Sequence, residues 1–148
     1  MIHEAFMREA LALADAAADA GEVPIGALVV VGGEVVGRGR NQPVAAHDPT
    51  AHAEVVALRD AGARLGNYRL TGATLYVTVE PCLMCVGALV HARIETLVYG
   101  AVEPRAGAIE STQRAHEQPT LNHRLVVVSG VLARECGERM QRFFAARR

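Results

Sequence analysis

Apolar residues open the chain at a helical interval: Phe6, Ala10, Leu13 and Ala17 stand three or four apart. This spacing predicts a helix over 3–20, with Gly21 as its C-terminal stop. The period then changes. Residues 25–31 (IGALVVV) are almost continuously apolar and valine-rich, which predicts a strand. Gly32-Gly33 is a two-residue hairpin signal, and EVVGRG (34–39) returns as the second strand. A polar loop, RNQPVAAHDPT, occupies 40–50, and a helix follows over about 52–65. TLYVTV (74–79) predicts a third strand, 83–92 a helix and ETLVYG (95–100) a fourth strand. A loop rich in Gly, Ala and Pro spans 101–120, with room for one short helical turn. RLVVVS (124–129) is the fifth strand, and 131–146 is a closing helix with Leu132, Cys136, Met140 and Phe143 as its apolar stripe.

Strands alternating with helices after an initial hairpin predict an α/β fold with helices covering the sheet. Runs as apolar as IGALVVV agree, because a strand buried on both faces has little need to alternate. With no repeat, low-complexity tract or linker to divide it, the chain of 148 residues is read as one domain. A chain of that size can bury roughly two-thirds of its unfolded surface.

Composition narrows the class of partners. The chain is 51% apolar and 21% charged, as in ordinary globular proteins. No apolar run approaches the roughly 20 residues that cross a bilayer. The opening MIHEAFMREA lacks the order of a signal peptide, so a cytoplasmic location without a membrane partner is expected. The net charge of −1 rules out a globally basic nucleic-acid binder, yet all 15 basic residues are arginine and they are spread unevenly. Residues 134–148 hold five of them against Glu135 and Glu138. Such an end can reach phosphates, whose oxygens fit the arginine fork; it can equally be a solvated helix face.

Three cysteines are too few, and odd in number, for a secreted disulfide framework. Cys136 falls on the apolar stripe of the last helix and reads as a small core residue. Cys82 and Cys85 stand three apart in EPCLMC, directly after a strand, with Pro81 suited to a helix entry. The start of a helix lowers thiol pKa values. That favours metal ligation and a redox pair alike, so the two cysteines alone leave both readings open.

A third ligand separates them. Thirty residues upstream, HDPTAHAEVVALRD carries His52 and Glu54 at a helix start. One histidine and two thiolates balance the charge of Zn²⁺ and leave a fourth place for water, the ligand count of a catalytic zinc site. Glu54 is close enough in sequence to act on that water without ligating. Residues i and i+2 lie about 200° apart on a regular helix, so the pair can cooperate only if His52 sits at the helix N-terminus. His47 is the competing nitrogen donor and reads as a surface or substrate-side residue. His91, His116 and His123 lack ligand spacing to the cysteines.

H-x-E joined to P-C-x-x-C is similar to the signature of the zinc-dependent nucleobase deaminases. The likeness extends beyond it. EVPIGALVV, GRNQP, HDPTAHAE, NYRL, TLYVTVEPCLMC, HARI, LNHR and ECGERMQRFFAARR together resemble the family of bacterial tRNA-specific adenosine deaminases. The resemblance implies a cytidine deaminase-like three-layer α/β/α sandwich with a five-stranded mixed sheet. It further implies a homodimer, one Zn²⁺ per chain and conversion of the wobble adenosine of a tRNA anticodon stem-loop to inosine. By the same resemblance His52, Cys82 and Cys85 are the metal ligands and Glu54 is the catalytic proton shuttle. Asn41, Asn122, Phe144, Arg147 and Arg148 are its substrate-side positions. In GAVEPRAGA this chain has Glu103 where the family usually carries aspartate. Two other readings stand beside this one: a deaminase of a free base such as guanine or cytosine, and a C-x-x-C redox or binding module.

Overall fold

The structure is a computed structural model describing residues 2–147. Helix α1 (Ile2–Asp19) leads into a hairpin of β1 (Gly26–Val31) and β2 (Glu34–Arg40). Gly32 and Gly33 take φ values of 58° and 79° at its tip, the positive angles a type I′ turn requires. A short helix α2 (Pro43–Ala46) precedes α3 (Ala53–Leu65), and β3 (Thr74–Val79), α4 (Leu83–His91) and β4 (Thr96–Ala101) follow. A 3₁₀ turn (Ala115–Glu117), β5 (Val126–Val128) and α5 (Ala133–Ala145) complete the chain. The sheet runs β2-β1-β3-β4-β5, with β1 antiparallel to both neighbours and β3, β4 and β5 parallel. The expected mixed five-stranded sheet is present, with helices on both faces.

Each face has its own core. Ala27, Val29, Leu75, Val77, Leu97 and Tyr99 pack with Ala53, Ala57 and Ala61 of α3 and Val86 and Leu89 of α4. Their immediate neighbours Leu28, Val30, Tyr76 and Val98 pack on the other face with Met7, Ala10 and Leu11 of α1 and Cys136 of α5. Successive residues of one strand therefore enter different cores, which is why these strands show no polar alternation. Burying one such aliphatic side chain contributes about 1.5–3 kcal/mol. On α1 the buried line is Met7, Ala10, Leu11, Ala14 and Ala17; Phe6 and Leu13 flank it, half-buried.

Three boundaries differ from expectation. The loop at 40–50 contains α2, which the polar pattern hid. Pro43 stands in its first turn, and the Glu22 carboxylate accepts from Val44 N–H at 3.2 Å and Ala45 N–H at 2.8 Å. β5 is three residues rather than six, because this edge strand pairs only with Thr96–Val98. On α5, Cys136 and Phe143 are buried, whereas Met140 is half-buried and Leu132 stands before the helix with φ 54°.

The close seat of α3 on the hairpin positions the site. A Cβ at Gly37 would lie 2.5 Å from the Ala57 carbonyl oxygen, so only glycine lets β2 meet the Ala53–Ala57–Ala61 face. α3 runs antiparallel to the β3 that follows it, and α4 begins where β3 ends. Both helix N-termini thus arrive at the carboxyl ends of the parallel strands, where α/β sheets place their ligands.

Candidate metal centre and active-site cleft

His52 is the N-cap of α3, with extended backbone (φ −70°, ψ 151°), and Glu54 is in the first turn. This placement resolves the i, i+2 conflict: His52 is directed by extended backbone and Glu54 by the helix. The turn before them is tied by Asp48, whose carboxylate accepts from Thr50 N–H at 2.9 Å and Thr50 hydroxyl at 2.7 Å. The hydroxyl and N–H of Thr50 hold that carboxyl below its usual range. His52 makes no side-chain cap. Asn41 caps the helix in its place, its Oδ1 accepting from Ala53 N–H at 2.8 Å.

Cys82 is the N-cap of α4, and Cys85 is buried in its first turn. His52 Nδ1 stands 3.5 Å from Cys82 Sγ and 3.5 Å from Cys85 Sγ. All three donor atoms lie within 4.8 Å of one another. A tetrahedral zinc with Zn–S about 2.3 Å and Zn–N about 2.0–2.1 Å requires an N···S edge of about 3.5 Å, so the donor set fits the ion. The thiol chemistry agrees. The Cys82 thiol is held down to about 4 by the Cys85 hydrogen bond and then by His52. Cys85 is pushed up by its contact with Cys82 and by burial. Two adjacent sulfurs resist ionising together, and a dication shared between them removes that conflict. His52 is raised by its hydrogen bond to Cys82.

Glu54 is 4% exposed, and burial pushes its carboxyl up to about 7. It, Asn41, His52 and Cys82 line a cleft of about 1160 Å³. Val102–Ala106 and Glu110 form one side of this cleft, with Phe144 and Arg147 from the end of α5. Phe144 is 44% exposed and meets Phe143 edge-on at 5.3 Å. Arg147 lies 3.5 Å over the Phe143 ring. Within the loop, Glu103 bends back to accept from Arg105 N–H at 3.0 Å, so its longer side chain is used locally.

The remaining candidates stand elsewhere. Asn122 is exposed and does not line this cleft. Its neighbour His123 is bonded through Nε2 to the Ile94 carbonyl at 2.6 Å, beyond the C-terminal end of α4. His47 is the exposed C-cap of α2, and His116 is buried. Arg148 lies outside the described residues. The sequence marks no task for two buried carboxylates, Glu22, which caps α2, and Glu80, which lines the cleft. Burial alone would raise the Glu80 carboxyl, but donors from Glu110, Ser111 and Glu103 hold it below its usual range. Its one sequence signal is a charged residue set directly after an apolar strand.

Comparison with known proteins places this geometry. Residues 1–101 match the cytidine and deoxycytidylate deaminase zinc-binding region. The tRNA-specific adenosine deaminase of Haemophilus influenzae is 48% identical over 98% of this chain and 84% of its own. A solved tRNA:A34 deaminase, studied for A-to-I editing at the wobble position, superposes with TM-score 0.89. It is 47% identical over 90% of this chain and 97% of its own. The guanine deaminase of Bacillus subtilis is 34% identical over 99% of this chain and 94% of its own, with TM-score 0.67. The chain is an enzyme of the zinc-dependent cytidine and deoxycytidylate deaminase superfamily and belongs within it to the tRNA-specific adenosine deaminase family.

Proposed function

We propose that this protein hydrolyses the wobble adenosine of a tRNA anticodon to inosine, releasing ammonia. The observation that carries the reading is the 48% identity sustained over 98% of the chain, well past the zinc signature. The relative acting on free guanine shares the fold at 34% identity.

His52, Cys82 and Cys85 hold one Zn²⁺ in this reading, and the ion when bound supplies the Lewis acidity that makes water a nucleophile at neutral pH. Glu54 moves the protons. Its buried carboxyl, pushed up to about 7, takes a proton from the attacking water and delivers it to the purine ring nitrogen. It next serves the departing amine. Proton transfer by a positioned side chain is typically worth roughly 10²–10⁴ in rate. Asn41 spends its carbonyl oxygen on the α3 cap, which leaves the amide N–H groups for the base. The exposed Phe144 offers a face for an unpaired base, and the exposed Arg147 offers a charge to backbone phosphates. Asn122, outside the cleft described above, and Arg148 are assigned to the RNA side by resemblance. The acidic depth of the cleft (Glu54, Glu80) with Arg105 and Arg147 among its exposed lining suits a neutral base held inside and phosphates kept outside.

The working assembly in this reading is a homodimer in the cytoplasm. The exposed Leu65 and Tyr68 support a protein contact on the α3 side, and no described helix is long and apolar enough to cross a membrane. Incubating the purified protein with an anticodon stem-loop and sequencing for inosine tests the function. Turnover of free guanine, cytidine or adenosine alone would replace the RNA reading.

A further inference from the structure

EPCLMC opens with a residue that the deamination chemistry leaves without a task. Glu80 directly follows β3, is 3% exposed, and gathers donors from a segment 23 to 31 positions away. Its Oε1 accepts from Glu103 N–H at 3.0 Å and from the Ser111 hydroxyl. Its Oε2 accepts from the N–H groups of Ile109 at 3.0 Å, Glu110 at 2.8 Å and Ser111 at 2.9 Å. One carboxylate therefore satisfies four backbone donors and a hydroxyl.

The segment it holds is the irregular side of the cleft. Residues 102–106 and Glu110 line that cleft opposite no regular element of their own. Two further links tie the segment to the thiol motif. Cys82 pairs with Gly107 in an isolated antiparallel bridge, and Ala108 N–H donates to the Pro81 carbonyl at 2.8 Å. A Cβ at Gly107 would run into the Glu80 carboxylate, so glycine there follows from the packing of the loop on this side chain. Glu80 stands two residues before Cys82, so the loop and the metal ligand share one short stretch of backbone.

We propose that Glu80 is a positioning residue for the substrate: its carboxylate fixes the 103–111 segment as a wall of the cleft at a set spacing from the metal centre. The proposal rests on the deaminase reading only for the choice of substrate. Glu80→Gln preserves shape but turns one acceptor oxygen into a donor facing donors. We expect zinc to remain at one per chain, while exchange of the amides at 103 and 109–111 and the KM for an anticodon stem-loop each rise about tenfold or more. That is the scale set by leaving one buried donor unpaired. kcat falls by less. Gly107→Ala, which displaces the carboxylate without changing any charge, is expected to shift KM in the same direction. Ser111→Ala removes a single donor and stays near the native values.

Unchanged amide exchange in Glu80→Gln overturns the proposal, as does an activity loss that follows zinc loss with KM unaltered. If Glu80→Gln does not fold, the decision passes to the native protein and Gly107→Ala. Unprotected amides at 109–111 in the former, or a native KM in the latter, refute it. Native protein that deaminates no anticodon RNA would end the functional reading, while the exchange measurements would still test Glu80.

Discussion

The inner end of the cleft and its rim are built by opposite means. At the inner end, two helix N-termini present His52, Glu54, Cys82 and Cys85 from residues within three positions of each start. The positive helix ends favour anionic thiolates there. At the rim, the 102–111 segment has no ladder or helix of its own, and four of its N–H groups converge on Glu80. α2 repeats the device on a smaller scale with Glu22. A site that must hold chemistry at ångström precision sits on regular elements. A surface that must accept a large ligand is a loop tethered by one buried carboxylate and two backbone links to the thiol motif.

The contrast predicts a graded response to mutation. The largest effect belongs to the inner end: Glu54→Ala should retain zinc and lose roughly 10²–10⁴ in kcat, the usual contribution of a positioned proton carrier. Metal analysis with single-turnover kinetics checks it; activity within tenfold of native would reduce the inner end to a metal holder. Asn41 sits where the two regions meet, so a pair of variants separates its roles. Asn41→Ala should cost about 0.5–2 kcal/mol through loss of the α3 cap and also raise KM. Asn41→Asp keeps the capping oxygen and loses the N–H donors, so its melting temperature should stay close to native while KM still rises. A native KM in the aspartate variant would leave Asn41 as a cap alone. The smallest effect is at the rim. Arg147→Ala removes a charge already stacked on Phe143 and bonded to the Phe143 carbonyl at 3.3 Å. It should weaken RNA binding slightly and shallow the dependence of log K on log salt by about 0.7, the value for one contact to a single strand. An unchanged slope would make Arg147 part of the helix surface only.

Much of the inner end was legible from the chain because its signals are local. A charge-balancing donor set, a turn formed by Asp48, Pro49 and Thr50, and a proline ahead of the thiols all act over a few residues. The same holds for the hairpin at Gly32-Gly33 and for strands apolar enough to be buried on both faces. α2 leaves no local signal because its first turn is capped by Glu22, 22 and 23 positions from the donors. RLVVVS predicts a longer β5 because it carries strand propensity that an edge position with one short pairing does not use.

Sequence by itself thus determined the order of the strands and the longer helices and the chemistry of the donors, since periodicity and ligand type are written in side chains. Tertiary structure alone decided that two helix N-termini, 30 residues apart in sequence, bring His52 Nδ1 to 3.5 Å from both sulfurs. It also decided which carboxylates are buried and for what. Glu22, Glu54 and Glu80 are the same residue type, each beside an apolar or small-residue run. What separates them is the donors that surround them, and backbone N–H groups are alike at nearly every position and leave no mark in the sequence.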